Sequence, residues 1–159
     1  LLRSRFLSVK FPVEIGFMMP INAYIIGCQT PPCLLPQLDD VVINIVFRAP
    51  RTMRSMQTLA TAFLNLGIIN IPIEYPLQEN AVTCNFLQNS FCPVVEDEVL
   101  QYELRMFIDS FMPVDTQVTI EFRVVDETRA PVFCLRVVIR IIDPIDGVSG
   151  RNATVVEIA

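Results

Sequence analysis

The sequence predicts an all-β fold, a sandwich of two antiparallel sheets with about seven strands. Apolar and polar residues alternate with period two through the second half, proline- and aspartate-bearing turns interrupt the chain, and no convincing long helix is present.

Two weaker strands are expected near residues 8–14 and 21–26. Residues 41–47 are β-branched and nearly all apolar, which suits a central strand. In residues 56–66, Leu59, Ala60, Ala62, Phe63 and Leu64 would also suit a short helix. A strand is expected there, because the segment runs into β-branched residues and ends at the breakers Pro72 and Pro76. From Leu100 onward, Leu100, Tyr102, Leu104, Met106 and Ile108 share one face, while Gln101, Glu103 and Arg105 share the other. Val118, Ile120, Phe122 and Val124 repeat the pattern, as do Phe133, Leu135, Val137, Ile139 and Ile141 with Arg136 and Arg140 outside. Residues 109–115 and 126–131 have the composition and length of hairpin connections.

The chain has 159 residues, which suits a single domain over 1–159 with a core at about 8–143 and a mobile tail at 144–159. Its apolar fraction is 52%, yet no apolar run reaches the roughly 18 residues of a membrane-spanning helix. The apolar excess must be buried internally. A net charge of −5 argues against a nucleic-acid partner. The absence of histidine removes Ser-His-Asp and Cys-His catalysis, so no enzyme is expected. Five cysteines and an Asn152-Ala153-Thr154 sequon fit an oxidising compartment, with Asn152 as the glycosylation acceptor. The first ten residues lack a compact apolar core, as expected of a mature chain whose signal peptide has been removed.

Cys28, Cys33, Cys84 and Cys92 could form disulfides or supply a zinc tetrad. Asp39-Asp40 and Glu96-Asp97-Glu98 read as solvated turns, with calcium or acid/base work as the alternative. Arg48, Arg51 and Arg54 form the one basic cluster. It reads as a solvated loop, with a membrane-surface or receptor contact as the alternative.

Cys28-Gln29-Thr30-Pro31-Pro32-Cys33, Asn44-Ile45-Val46-Phe47, Gly67-Ile68-Ile69 leading to Ile71-Pro72-Ile73, Cys84 to Cys92-Pro93, and Phe133-Cys134-Leu135 occur in that order. In combination they resemble the ML lipid-recognition family over roughly residues 16–143. The resemblance implies an immunoglobulin-like β-sandwich, secreted or in the lysosomal lumen, that binds a sterol, fatty acid or related lipid between its sheets. It implies disulfides Cys28–Cys33 and Cys84–Cys92. The family's first cysteine, expected near Ile15 and Gly16, is absent, so the likeness leaves Cys134 a free thiol. Alternation with Phe133 and Leu135 puts Cys134 on the outer face of the last strand, partly exposed and open to intermolecular linkage.

By the same likeness the ligand-lining positions are Phe47, Ile71, Phe107, Ile108 and Met112, around a closed apolar cavity. Without it, these residues read as ordinary core. The function expected is non-enzymatic lipid carriage with no cofactor or metal. The alternative is an extracellular protein-interaction module whose sandwich core is filled.

Overall fold

The computed structural model describes residues 9–10 and 18–145. Among them nine strands form two sheets: β1 (Val9–Lys10), β2 (Asn22–Ile25), β3 (Cys33–Pro36), β4 (Asp40–Arg48), β5 (Met56–Asn65), β6 (Asn70–Tyr75), β7 (Val99–Phe107), β8 (Gln117–Asp126) and β9 (Pro131–Ile142). Two single-turn 3₁₀ segments, η1 (Gln78–Ala81) and η2 (Thr83–Phe86), lie between β6 and β7.

The larger sheet runs β1-β9-β8-β5-β6, with β3 beside β9 as well; the smaller runs β2-β4-β7. Residues directly opposite in an antiparallel ladder share a face, so the register fixes what points inward. In the smaller sheet Ile43 faces Leu104, Ile45 faces Tyr102 and Phe47 faces Leu100, all buried. In the larger, Ala60 and Leu135 flank Phe122, and Ala62 and Val137 flank Ile120. These two inward faces make the core, where the Phe47 and Phe133 rings lie 4.8 Å apart and Tyr102 approaches Phe133 at 6.4 Å.

The alternating segments take the faces predicted for them, and residues 56–66 are strand: β5 pairs with β8 along its length. Two strands were not expected. β3 lies in the proline-bearing segment and pairs in parallel with β9, Cys33 opposite Ile139. β6 contains Pro72, which an edge strand tolerates, and it pairs only with β5. Residues 109–115 are not a hairpin, because β7 and β8 belong to different sheets and the segment crosses between them. Residues 126–131 are a hairpin turn, closed by the Arg129 N–H donating to the Asp126 carbonyl. Of the expected N-terminal strand, Val9–Lys10 pairs with Val137 and Arg136. Ile15, Gly16, Asn152 and nearly all of the expected tail lie outside the described residues.

Both disulfides are formed, Cys28–Cys33 and Cys84–Cys92, so these four sulfurs are bonded to one another and do not present a thiolate tetrad. Cys134 sits opposite Arg123 on the outward side of β9, but is only 2% exposed. The expected partial exposure fails. The chain at Met18 runs beside this end of β9, its N–H donating to the Val132 carbonyl at 3.0 Å.

Of the acidic runs, Glu96 and Asp97 are exposed as expected of a solvated turn, while Asp39 is not. Asp39 is buried, and one of its carboxylate oxygens accepts the Asp40 N–H at 2.8 Å. Glu98 accepts from the Ser90 hydroxyl and the Val95 N–H, bonds that hold its pKa below the usual value.

Candidate functional site

The two sheets are unequal in width, and this creates the site. β6 is the edge strand of the larger sheet. Ile71 opposes Leu64 and Ile73 opposes Ala62, so both isoleucines face inward. Yet Ile71 is 40% exposed and Ile73 44%, because the smaller sheet has only three strands to lay against the wider one. The result is an uncovered aliphatic ledge on an inward face.

At the end of that ledge, Tyr75 joins the sheets. Its hydroxyl donates to the Phe107 carbonyl of β7 at 2.6 Å and accepts the Asp109 N–H at 3.1 Å. Partial burial raises the Tyr75 pKa; the Asp109 N–H bond lowers it and the Asp109 charge raises it further. Beside this link runs an open groove of about 550 Å³, lined on one side by Tyr75, Leu77 and η1 and on the other by Asp40, Arg105, Phe107, Asp109 and Phe111. Leu77 also belongs to the buried core, so the groove reaches the sandwich interior there.

Of the five sequence-derived ligand positions, Phe47, Ile108 and Met112 are buried in the core. Ile71 faces inward at the ledge. Phe107 does not share the Ile108 face, since neighbouring strand residues point to opposite sides. It is 44% exposed and lines the groove instead. Sequence reasoning missed Ile73, Tyr75, Leu77 and Phe111. The alternation of Ile71 and Ile73 on either side of Pro72 was a signal for the first of these.

Thr58, Thr83 and Tyr102 form a buried hydroxyl chain, with Thr58 2.7 Å from each of the other two. Burial pushes the Tyr102 pKa far up, against weaker lowering by these threonines. In the basic cluster, Arg48 and Arg51 make structural contacts through their side chains, while Arg54 is exposed as expected of a solvated loop. Arg51 pairs with Asp126 at 2.6 Å and donates to the Pro131 carbonyl at 3.0 Å. Arg48 donates from its guanidinium to the Asp97 carbonyl at 2.9 Å, and the main-chain N–H of Arg54 donates to the Glu127 carboxylate at 3.0 Å.

Over residues 16–141 the sequence matches the ML domain. The chain belongs to the ML domain family. This ML domain superposes on a Niemann-Pick type C2 protein from the Japanese carpenter ant with a TM-score of 0.67 and 16% identity, covering 83% of this chain and 98% of that one. Chicken MD-1, solved in complex with lipid IVa, matches with a TM-score of 0.46 and 16% identity, over 74% of this chain and 79% of that one. No curated protein sequence matches this ML domain. Among the described residues no helix is long and apolar enough to cross a membrane.

Proposed function

We propose that this ML domain is a secreted or lysosomal, non-enzymatic carrier of an apolar ligand such as a sterol, fatty acid or related lipid. The uncovered ledge of Ile71 and Ile73 carries this reading: inward-facing aliphatic side chains left open at the sheet edge offer apolar surface to a ligand. The groove beside them falls within the usual range for small-molecule sites, roughly 300–1,000 Å³. Burying apolar ligand surface there gains about 25 cal/mol per Å², with no polar contact required. Phe47, Ile108 and Met112 stand behind the opening as side chains that repack around an inserted chain, methionine being the most adaptable. Contact with a membrane surface or receptor during transfer fits a ligand delivered at a sheet edge. The two disulfides fit an oxidising compartment.

A fluorescent fatty acid and a fluorescent sterol titrated against the purified protein test carriage. Saturable uptake is expected for at least one, with Ile71→Asp and Ile73→Asp abolishing it while circular dichroism stays unchanged, because both positions are exposed. No uptake of either probe by the unaltered protein would overturn the proposal. The close packing of Phe47, Phe133 and Tyr102 favours the second reading, a filled sandwich that docks only protein, and that reading predicts this negative result.

A further inference from the structure

The rim groove differs in character from the ledge beside it. Three aromatic side chains line it, Tyr75, Phe107 and Phe111, with Tyr75 and Phe111 rings 6.0 Å apart and tilted by 35°. Phe111 is 69% exposed, so ring surface is open to the groove's contents. The face of an aromatic ring is the negative part of its quadrupole and attracts a cation, more strongly once both are partly desolvated.

Charge in the groove has the same sign of preference. Among the described residues Arg105 is its one lining cation, and that guanidinium is already matched by Glu103 at 3.1 Å and approached by Asp40 at 3.9 Å. Glu79 and Asp109 line the same groove, and no ion pair among the described residues engages either of them. Glu79 lies in η1 and Asp109 in the crossing segment, so both carboxylates border the groove that the three aromatic side chains line. A carboxylate head in that position would meet like charge; an ammonium head would meet opposite charge and ring faces together.

Resting on the carrier reading, we propose that the ligand is an amphiphile with a cationic head, a long-chain primary amine or quaternary ammonium compound. The head lies among Tyr75, Phe107, Phe111, Glu79 and Asp109, and the chain extends past Leu77 toward the core and the Ile71–Ile73 ledge.

Three twelve-carbon probes that differ only in head charge separate this proposal from the one beneath it. Dodecyltrimethylammonium, dodecanol and dodecanoate, each below its micellar concentration, are titrated by calorimetry at low salt. The expected order is trimethylammonium tightest and dodecanoate weakest, with roughly tenfold between them. Glu79→Gln/Asp109→Asn should bring that ratio toward one. Glu96→Gln/Glu127→Gln makes the same change in net charge near the other end of β4 and should leave the ratio as it is, which excludes an effect of net charge alone. Equal affinities, a preference for dodecanoate, or equal effects of the two double variants would overturn the head-group proposal while carriage stands. Failure of all three probes to bind would overturn the head-group proposal, and carriage would then be decided by the fatty acid and sterol titrations.

Discussion

The Tyr75 hydroxyl and the Phe107 carbonyl, 2.6 Å apart, tie the edge strand of one sheet to the edge strand of the other. The link lies between the aliphatic ledge and the aromatic groove, so it governs how far the sheets separate where a ligand would enter. Tyr75→Phe deletes both of its hydrogen bonds and leaves two main-chain groups to water. The expected cost is about 1 kcal/mol of stability, with faster amide exchange at Asp109 and faster release of a bound fluorescent lipid. Unchanged exchange at Asp109 would show that the link does not hold the edge.

Tyr102 predicts the alkaline limit of the fold. Burial raises its pKa above the ordinary value near 10, so its contribution is fully present below about pH 10 and is lost as pH rises beyond that. Tyr102→Phe leaves Thr58 and Thr83 bonded to each other, and is expected to cost roughly 1 kcal/mol at neutral pH. Denaturant titrations between pH 8 and 12 should show a shallower alkaline loss in the variant. The residual slope then belongs in part to Tyr75, whose pKa is raised in the same direction.

Asp126 predicts the acid limit. Burial raises its pKa, but hydrogen bonds from the Thr128 hydroxyl, Arg51 and the Ala130 and Thr128 amides together outweigh burial and hold it at about 2. Because the folded value lies below the ordinary value of 3.8, its stabilisation is present above about pH 4 and lost as pH falls toward 2. Asp126→Ala should destabilise the protein by about 1–3 kcal/mol at pH 7, toward the lower end because Arg51 is partly solvated. The difference between variant and parent should shrink as pH falls from about 4 toward 2.

The Cys84–Cys92 bond closes a short loop that begins within η2, directly after Thr83 of the buried hydroxyl chain. Loop-closure entropy puts its contribution on the order of 2 to 3 kcal/mol. Urea unfolding of Cys84→Ser/Cys92→Ser should show that loss, and non-reducing peptide mapping of the parent should recover both bonded pairs. Four free thiols would contradict the pairing.

The inward faces of β7, β8 and β9 were legible because alternation repeats in long amphipathic strands, where a one-residue slip would expose every apolar side chain. β3 and β6 were not, since Pro31 and Pro32 before β3, Pro36 at its end and Pro72 within β6 read locally as breakers; pairing with β9 and β5 overrode that signal. The crossing at 109–115 was hidden for a different reason: local composition cannot tell a hairpin from a passage between sheets. Periodicity gave the inward face of Ile108, whose place in the ligand set came from the family likeness; Phe107, one residue before it, could not share that face. Tyr75 and Phe111 went unseen because their roles depend on the edges of two sheets meeting, a tertiary fact with no local pattern. Cys134 was placed on the correct side, but its burial depends on neighbouring chain rather than on alternation.

Pro72 has a consequence for how this molecule behaves in concentrated solution. Leu66 donates its N–H to the Ile69 carbonyl, and bonded pairs alternate along an antiparallel ladder. Leu64–Ile71 and Ala62–Ile73 are therefore the bonded pairs, while Phe63–Pro72 is an unbonded one whose nitrogen faces away from β5. That outward position is where an incoming strand from another molecule would require a donor, and proline has none. The same edge that leaves isoleucines open to a ligand thus lacks a hydrogen at its centre, which discourages stacking of copies into aggregated sheets.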